Sequence, residues 1–95
     1  MAVTLNVKMM QNKAEAHAYL QKKLSFPEYY GHNLDALYEC LTELPRTRII
    51  FVHTEEAGDY FRQIARVFCD ACRENPDLLL YTAQEGLILP PADAE

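Results

Sequence analysis

The chain has 95 residues, the usual length of a single domain, and its hydrophobic fraction of 49% is enough for one modest core. Nine Lys and Arg residues against fourteen Asp and Glu residues give a formal net charge of −5. An acidic surface repels phosphate backbones, so direct binding to nucleic acid is not expected, whereas a basic protein would be attracted.

Nothing in the sequence predicts membrane insertion or export. No apolar run approaches the roughly 20 residues of a membrane span. Residues 1–13 lack the apolar stretch of a secretory signal. The three cysteines are a small, odd set, which without a signal suggests reduced thiols. We therefore expect a cytoplasmic protein that does not contact membranes.

The first third of the chain predicts a strand, a helix and a loop. Apolar and polar residues alternate over residues 3–7, as in a strand. Asn12 and Glu15 have the spacing of a capping box, and the helix they open stops before Pro27. Residues 26–32, with one proline and one glycine, predict a loop. The apolar positions of this helix are Ala14, His17, Leu20 and Leu24.

A second helix is predicted from Asn33, a residue type that caps helix N-termini, to Pro45, which ends it. Its apolar stripe has spacings of three and four residues: Leu34, Leu37, Leu41 and Leu44. The next apolar run, residues 48–53, is continuous and rich in β-branched residues. That pattern predicts a strand covered on both faces, as in a parallel sheet.

A third helix is predicted after a cap at Thr54 or Asp59, and it breaks at residues 75–77. Residues 78–82 predict a third strand. The apolar stripe of this helix is Phe61, Ile64, Ala65, Phe68 and Cys72.

Strands that alternate with helices favour right-handed crossovers and parallel pairing. We therefore predict an α/β fold, a small three-stranded parallel sheet with helices packed against it. Residues 1–89 are expected to form one domain, in which residues 87–89 add either a short strand or a packed extension. The acidic, proline-rich residues 90–95 are expected to be a mobile tail.

The second helix has an acidic face opposite its leucines. On a wheel of about 100° per residue, this face holds Asp35, Glu39, Thr42 and Glu43, with Tyr38 at its border. Carboxylates four residues apart destabilise a helix by roughly 0.2–0.5 kcal/mol per pair, and no lysine relieves them here. The preceding loop adds Tyr29 and Tyr30, one of which is expected to point inward, although spacing does not decide which. Aromatic rings beside acids are typical of protein interfaces.

The run PEYYGHNLDALYECL, residues 27–41, resembles the barstar family, intracellular inhibitors of the ribonuclease barnase. The family has PEYYG, one variable residue, NLDAL, an aromatic residue, an acid and CL, so twelve or more positions match without interruption. The likeness extends back to the first strand and weakens after Pro45, and residues 67–71 resemble a family segment with an acid in the place of Asp70. The resemblance implies the same parallel sheet. It also implies that the chain is an inhibitor that blocks the active site of a secreted-type ribonuclease.

The resemblance also implies roles for individual residues. A ribonuclease holds phosphate with Arg, Lys and His, and a rigid carboxylate can take the place of phosphate. By this likeness Glu39 is central, Asp35 meets a second basic group, and Tyr29 stacks on a catalytic ring. The expected partner-binding set is Tyr29, Gly31, Asn33, Asp35, Tyr38, Glu39, Thr42 and Asp70. Asp70 is equally consistent with an ordinary ion pair to Arg66.

Three departures bear on the partner. The family's best-known member has Trp and Asp where this chain has Tyr38 and Glu39, and the stretch between the second strand and the last helix is shorter here. An extra methylene moves a carboxylate by about one carbon–carbon bond, and shifts near 1 Å matter at tightly packed contacts. We therefore expect a related basic extracellular-type microbial ribonuclease, or another basic toxin enzyme, rather than barnase, and no cofactor or metal.

Three alternatives come from other classes of function. Cys69-Asp-Ala-Cys72 is a C-x-x-C motif, but it falls late in a helix, where structural thiols are a better account than redox or metal chemistry. The carboxylates lie on a convex helix face without a nucleophile and its base, so we predict no enzyme, and we expect His32 to cap or solvate the helix start. An interaction module of the same fold, whose partner is not a ribonuclease, would use the same kind of surface and stays open.

Overall fold

The protein consists of helices and strands in alternation, in a computed structural model that describes residues 2–82 and 86–88. Two 3-10 helices, Val7–Met9 and Thr54–Glu56, follow the first and second strands. The predicted order of strands and helices is confirmed. The predicted tail, residues 90–95, lies outside the described residues. In chain order the main elements are β1 (Ala2–Asn6), α1 (Lys13–Leu24), α2 (Leu34–Thr42), β2 (Thr47–Val52), α3 (Asp59–Glu74), β3 (Leu78–Thr82) and β4 (Gly86–Ile88).

The sheet has the order β1-β2-β3-β4. Its first three strands are parallel, as predicted, and β4 is antiparallel to β3. Of the two possibilities for residues 87–89, the extra strand is therefore the one observed over residues 86–88, while Leu89 lies outside the described residues. The registers place Val3 beside Ile49 and Ile49 beside Leu80, and all three side chains are buried.

Helices cover one face of the sheet. Burial alternates along β2, where Ile49 and Phe51 are buried while Arg48 is exposed and Ile50 is half-buried. The prediction of a strand covered on both faces is therefore wrong. The cause is topological: β1, β2 and β3 follow one another in the same direction across the sheet, so right-handed crossovers bring their helices to the same side.

Asparagine side chains cap the first two helices, as predicted. Asn12 Oδ1 accepts a hydrogen bond from the backbone N–H three residues later at 2.9 Å, and Asn33 Oδ1 does the same at 2.7 Å. The predicted cap of α3 is wrong, because Gly58 occupies the N-cap and Asp59 is the first helical residue. There its carboxylate lies at the positive end of the helix dipole. Thr54 instead begins a 3-10 helix.

The buried faces of the helices largely follow the predicted stripes. Phe61, Ile64 and Phe68 of α3 are buried, as are the central leucines of α2. Two details differ: Ala14 is exposed while Ala16 is buried, and Cys69 is more buried than Cys72. Among the described residues, no helix combines the length and the apolar character that a membrane span requires.

The end of α2 is completed by a side chain from a distant part of the sequence. The helix ends at Thr42, two residues earlier than predicted, and Leu44 beyond it still packs against the core. The buried Asn75, which caps the end of α3, donates from Nδ2 to the carbonyls of Leu41 and Leu44, each at 3.0 Å. It thus adds side-chain donors to carbonyls at the end of α2, where regular intrahelical donors run out. This contact joins the C-terminal ends of α2 and α3.

Candidate partner-binding surface

A glutamine of α1 fixes the loop that joins α1 to α2, residues 25–33. Gln21 Nε2 donates to the Pro27 carbonyl at 2.8 Å, and Gln21 Oε1 accepts from His32 Nε2 at 2.9 Å. Because the amide nitrogen serves Pro27, the amide oxygen is left to accept, so His32 carries a proton on Nε2. The backbone of His32 has φ 53°, a left-handed conformation that is costly for a residue with a side chain. Gln21 therefore holds both ends of the loop.

A histidine of α1 fixes the middle of the same loop. His17 is fully buried, with Nδ1 2.7 Å from the Tyr30 hydroxyl and Nε2 2.7 Å from the Tyr60 hydroxyl. A neutral imidazole has one donor and one acceptor nitrogen, so one of these hydroxyls donates to the ring and the other accepts from it. The Tyr30 ring also contacts Phe26 and His32, at centroid distances of 4.9 and 5.2 Å. The network ties α1, the loop and α3 together.

This network is neutral at pH 7. Burial lowers the pKa of His17 to about 4, and the nearby charges of His32 and Lys13 act in the same direction. Burial is also the main cause that raises the pKa of Tyr30 and of Tyr60. Acid therefore acts on the network through His17, whose protonation would place a charge in the interior.

The inward position of Tyr30 leaves its neighbour facing solvent. Tyr30 is 6% exposed, whereas Tyr29 is 88% exposed. This resolves the alternative that spacing left open. Tyrosine has a large ring with few rotatable bonds, so an exposed one offers contact area to a partner at a small entropic cost.

Two carboxylates of α2 face solvent. Asp35 and Glu39 are exposed, and neither side chain has a hydrogen bond or ion pair to another described residue. Tyr38 between them is half-buried and packs partly on the core. Thr42 is also half-buried, and its Oγ1 donates to the backbone carbonyl of Glu39 at 2.8 Å rather than to solvent. The acidic face therefore carries charge that the fold leaves uncompensated.

Gly31 and Asn33 shape the junction between the loop and α2. A Cβ at Gly31 would lie 3.2 Å from Asn33 Nδ2 and 3.3 Å from the Ala36 side chain, tighter than ordinary contact. Asn33 Nδ2 also donates to the Gly31 carbonyl at 3.2 Å, while Asn33 Oδ1 caps the helix. The missing side chain at Gly31 thus allows the loop to lie close against the first turn of α2.

Asp70 lies on α3, beside a furrow between α2 and α3. The Leu34 side chain of α2 lines the same furrow. Asp70 does form an exposed ion pair, one of the two alternatives, but with Arg73 rather than Arg66: its Oδ1 lies 3.3 Å from Arg73 Nη1. Both charges of this pair are about half exposed, so the pair contributes little to stability.

Known proteins are similar to this chain in sequence. The family model described as barstar (barnase inhibitor) matches residues 1–85. The chain belongs to the barstar family. A relative from Bacillus subtilis (strain 168), whose name reads "Putative ribonuclease inhibitor YrdF", is 39% identical over 74 aligned residues, covering 70% of this chain and 80% of the relative.

The barstar match contains all eight residues of the predicted partner-binding set. The structure brings the loop residues and the first turn of α2 together and places Asp70 beside the same turn across the furrow. Sequence reasoning missed the groups beneath this surface, namely Gln21, the polar role of His17, and Tyr60. The one signal for them was a histidine in an otherwise apolar stripe of α1.

Two residues that bear on the other functional classes, Cys72 and His32, have structural contacts in this fold. No group of three or more His, Cys, Asp or Glu side chains is placed to hold a metal ion within residues 2–82 and 86–88. Burial raises the pKa of Cys72, whose Sγ donates to the Leu78 carbonyl at 3.0 Å. Of the two roles expected for His32, capping of α2 is not the one observed, because Asn33 supplies the cap and His32 bonds to Gln21.

Proposed function

We propose that this barstar-family chain inhibits a small basic microbial ribonuclease by covering its active site. The covering surface would be the partner-binding set named above, from Tyr29 in the loop to Asp70 on α3. The family and the name of the Bacillus subtilis relative support an inhibitor of ribonucleases. We further propose that the enzyme is basic, because the surface is acidic, and, from the resemblance to the family, that it is of the extracellular type and that the chain has an immunity role in the cytoplasm.

The observation that carries the proposal is the pair of exposed carboxylates without partners, Asp35 and Glu39, beside a tyrosine that is 88% exposed. Ribonuclease sites bind phosphate through cationic side chains, and an anion on a rigid helix can form charge-assisted hydrogen bonds to the same groups. Rigidity matters because ordering a mobile loop on binding lowers affinity. The hydrogen bonds from Gln21 and His17 hold the loop in place before the partner arrives and so lower that cost.

Glu39 is assigned the centre of the interface and Asp35 its edge. A charge buried at the centre is stripped of water and must be paired, so its loss is more costly than the loss of a charge at the hydrated rim. Asp70 contributes less, because Arg73 already holds its carboxylate. The protein acts in this proposal as a binding protein without catalytic residues, formed by one domain over residues 1–89 with a tail beyond it.

A mixing assay with a panel of small basic microbial ribonucleases, barnase among them, tests the proposal. We expect loss of RNA cleavage by at least one enzyme at equimolar inhibitor, with affinity that falls as salt rises. Glu39→Ala should weaken binding on the order of 100-fold and Asp35→Ala by roughly tenfold.

Glu56→Ala is the matched control. Glu56 is an exposed acid in the 3-10 helix after β2, so its removal changes net charge equally without touching the acidic face. Equal binding by the wild type, Glu39→Ala and Asp35→Ala would overturn the proposal. Tight binding to a protein that is not a nuclease, lost in the same variants, would favour the interaction module instead.

A further inference from the structure

A pair of arginines lies on α3, across the furrow from the first residue of α2. Arg62 and Arg66 are exposed, four residues apart on α3, and so on the same side of it. Neither side chain has an ion pair or hydrogen bond to another described residue. We call these two residues the basic strip. Asp70, the acid that would neutralise Arg66 one turn away, is instead paired with Arg73.

The basic strip adjoins the proposed inhibitory surface. The furrow lined by Arg62, Arg66 and Asp70 also contains Leu34, the first residue of α2. A second hollow shares Leu34 and continues to Asp35. The two hollows share Leu34 and Gln63 and are therefore adjacent, so a partner seated on the first turn of α2 would also lie near the basic strip.

The charge of this flank is not what folding requires. Like charges four residues apart weaken a helix, and a single acid in place of either arginine would have removed the repulsion. Nor does the flank suit a partner that is basic throughout, because a cationic enzyme pressed against two unpaired arginines would be repelled. An acid-rich flank would suit such an enzyme better.

We infer that the basic strip contacts an acidic segment of the same partner, next to the cationic pocket that receives Glu39. This inference rests on the proposed function and adds a specificity element to it. The partner would carry Asp or Glu side chains at the edge of its active site facing α3. A ribonuclease that is basic at that edge would be bound weakly, so the strip would select among enzymes whose active sites are alike.

Charge reversal tests the inference through the sign of its effect. We would measure the affinity of Arg62→Glu and Arg66→Glu for the ribonuclease that the panel shows to be inhibited, at low and at high salt. If an acid faces the strip, each variant binds roughly tenfold more weakly, since attraction becomes repulsion. If a basic surface faces the strip, each variant binds more tightly, which would overturn the inference.

Arg48→Glu is the matched control for net charge. Arg48 is equally an exposed arginine, but it lies on β2 beside Ile50 and Tyr81, on the sheet face that the helices do not cover. Arg48→Glu should bind the ribonuclease as tightly as the wild type or slightly more tightly, because a more acidic protein associates faster with a basic enzyme. The inference is supported when the α3 variants weaken binding and Arg48→Glu does not, and it is overturned when all three behave alike.

Failure of the inference can be told from failure of the proposed function. Glu39→Ala, measured in the same titrations, reports on the proposed function alone. If Glu39→Ala binds as tightly as the wild type, the proposed inhibitory surface is ruled out. If Glu39→Ala binds more weakly but Arg66→Glu binds equally or more tightly, only the proposed contact to an acidic segment is ruled out. Unaltered melting temperatures for the charge variants would show that each is folded, as expected for exposed side chains.

Discussion

The Nδ1 atom of His17 lies 2.7 Å from the hydroxyl of Tyr30, and both side chains are buried. Water cannot replace either partner, so loss of one leaves a buried polar group unsatisfied. The same contact sets which of two adjacent tyrosines faces the solvent. One hydrogen bond therefore contributes both to the stability of the fold and to the shape of the candidate partner-binding surface.

Removal of the Tyr30 hydroxyl should destabilise the protein. We expect Tyr30→Phe to lower the free energy of unfolding by about 1–3 kcal/mol, because it leaves Nδ1 of His17 without its partner. Urea denaturation at pH 7 measures the change. Tyr29→Phe removes the same atom from a residue that is 88% exposed and should change stability by less than about 0.5 kcal/mol. Equal losses in the two variants would contradict the assigned orientations.

Stability should fall in mild acid because of His17. Its pKa is lowered to about 4 in the folded protein from an ordinary value of 6.5, so the unfolded chain binds this proton first. The contribution is therefore fully present above pH 6.5 and is lost as the pH falls towards 4, up to about 3 kcal/mol in total. Urea titrations at several pH values between 7 and 4 measure it.

His17→Gln provides the comparison for the acid effect. Carboxylates also titrate near the lower end of this range, and they contribute equally to both proteins. The difference between the two pH profiles isolates the histidine. If the stability of His17→Gln falls between pH 6.5 and 4 as steeply as that of the wild type, His17 is ruled out as the cause.

Gln21 should hold the loop between α1 and α2 in place, although it does not belong to the partner-binding set. Gln21→Met keeps the length of the side chain but removes the bonds to Pro27 and His32, so we expect the loop to open more often. Hydrogen exchange would then be faster at the Tyr30 amide, which donates to the Pro27 carbonyl at 3.0 Å. Gln63→Met, on an exposed site of α3, should leave exchange in the loop unchanged. Slow exchange in both variants would show that Gln21 is not the anchor.

Asn75 should stabilise α2 from outside that helix. Asn75→Ala leaves the carbonyls of Leu41 and Leu44 without these donors, and we expect a loss of about 2 kcal/mol in the free energy of unfolding. Asn75→Asp keeps an acceptor for the Asp77 N–H but places a carboxylate against those two carbonyls, so it should be at least as destabilising. If thermal or urea unfolding shows that Asn75→Asp is less destabilising than Asn75→Ala, the acceptor for the Asp77 N–H matters more than the donors to the two carbonyls.

Local sequence was sufficient to predict the order of the main strands and helices and the acidic character of the surface. The caps at Asn12 and Asn33 act on N–H groups three residues away, and the leucine stripe of α2 depends on one helical period, so both can be inferred from short segments. The exposed acids Asp35 and Glu39 follow from the same period, since they lie opposite the leucines. The run from residue 27 to residue 41 was long enough to indicate the family, which the match over residues 1–85 then showed.

Tertiary structure alone decided which of the two tyrosines the surface presents and which buried groups support the surface. Tyr29 and Tyr30 are chemically identical neighbours, and only the approach of His17, thirteen residues away, separates them. The coupling of His17 to Tyr60 spans 43 residues and that of Asn75 to Leu41 spans 34, so no local pattern encodes either. The spacing of Arg62 and Arg66 is local, but their position next to the first turn of α2 exists only because α3 packs beside α2. Short-range geometry is set by backbone period and caps, whereas these contacts exist only once the chain has brought distant segments together.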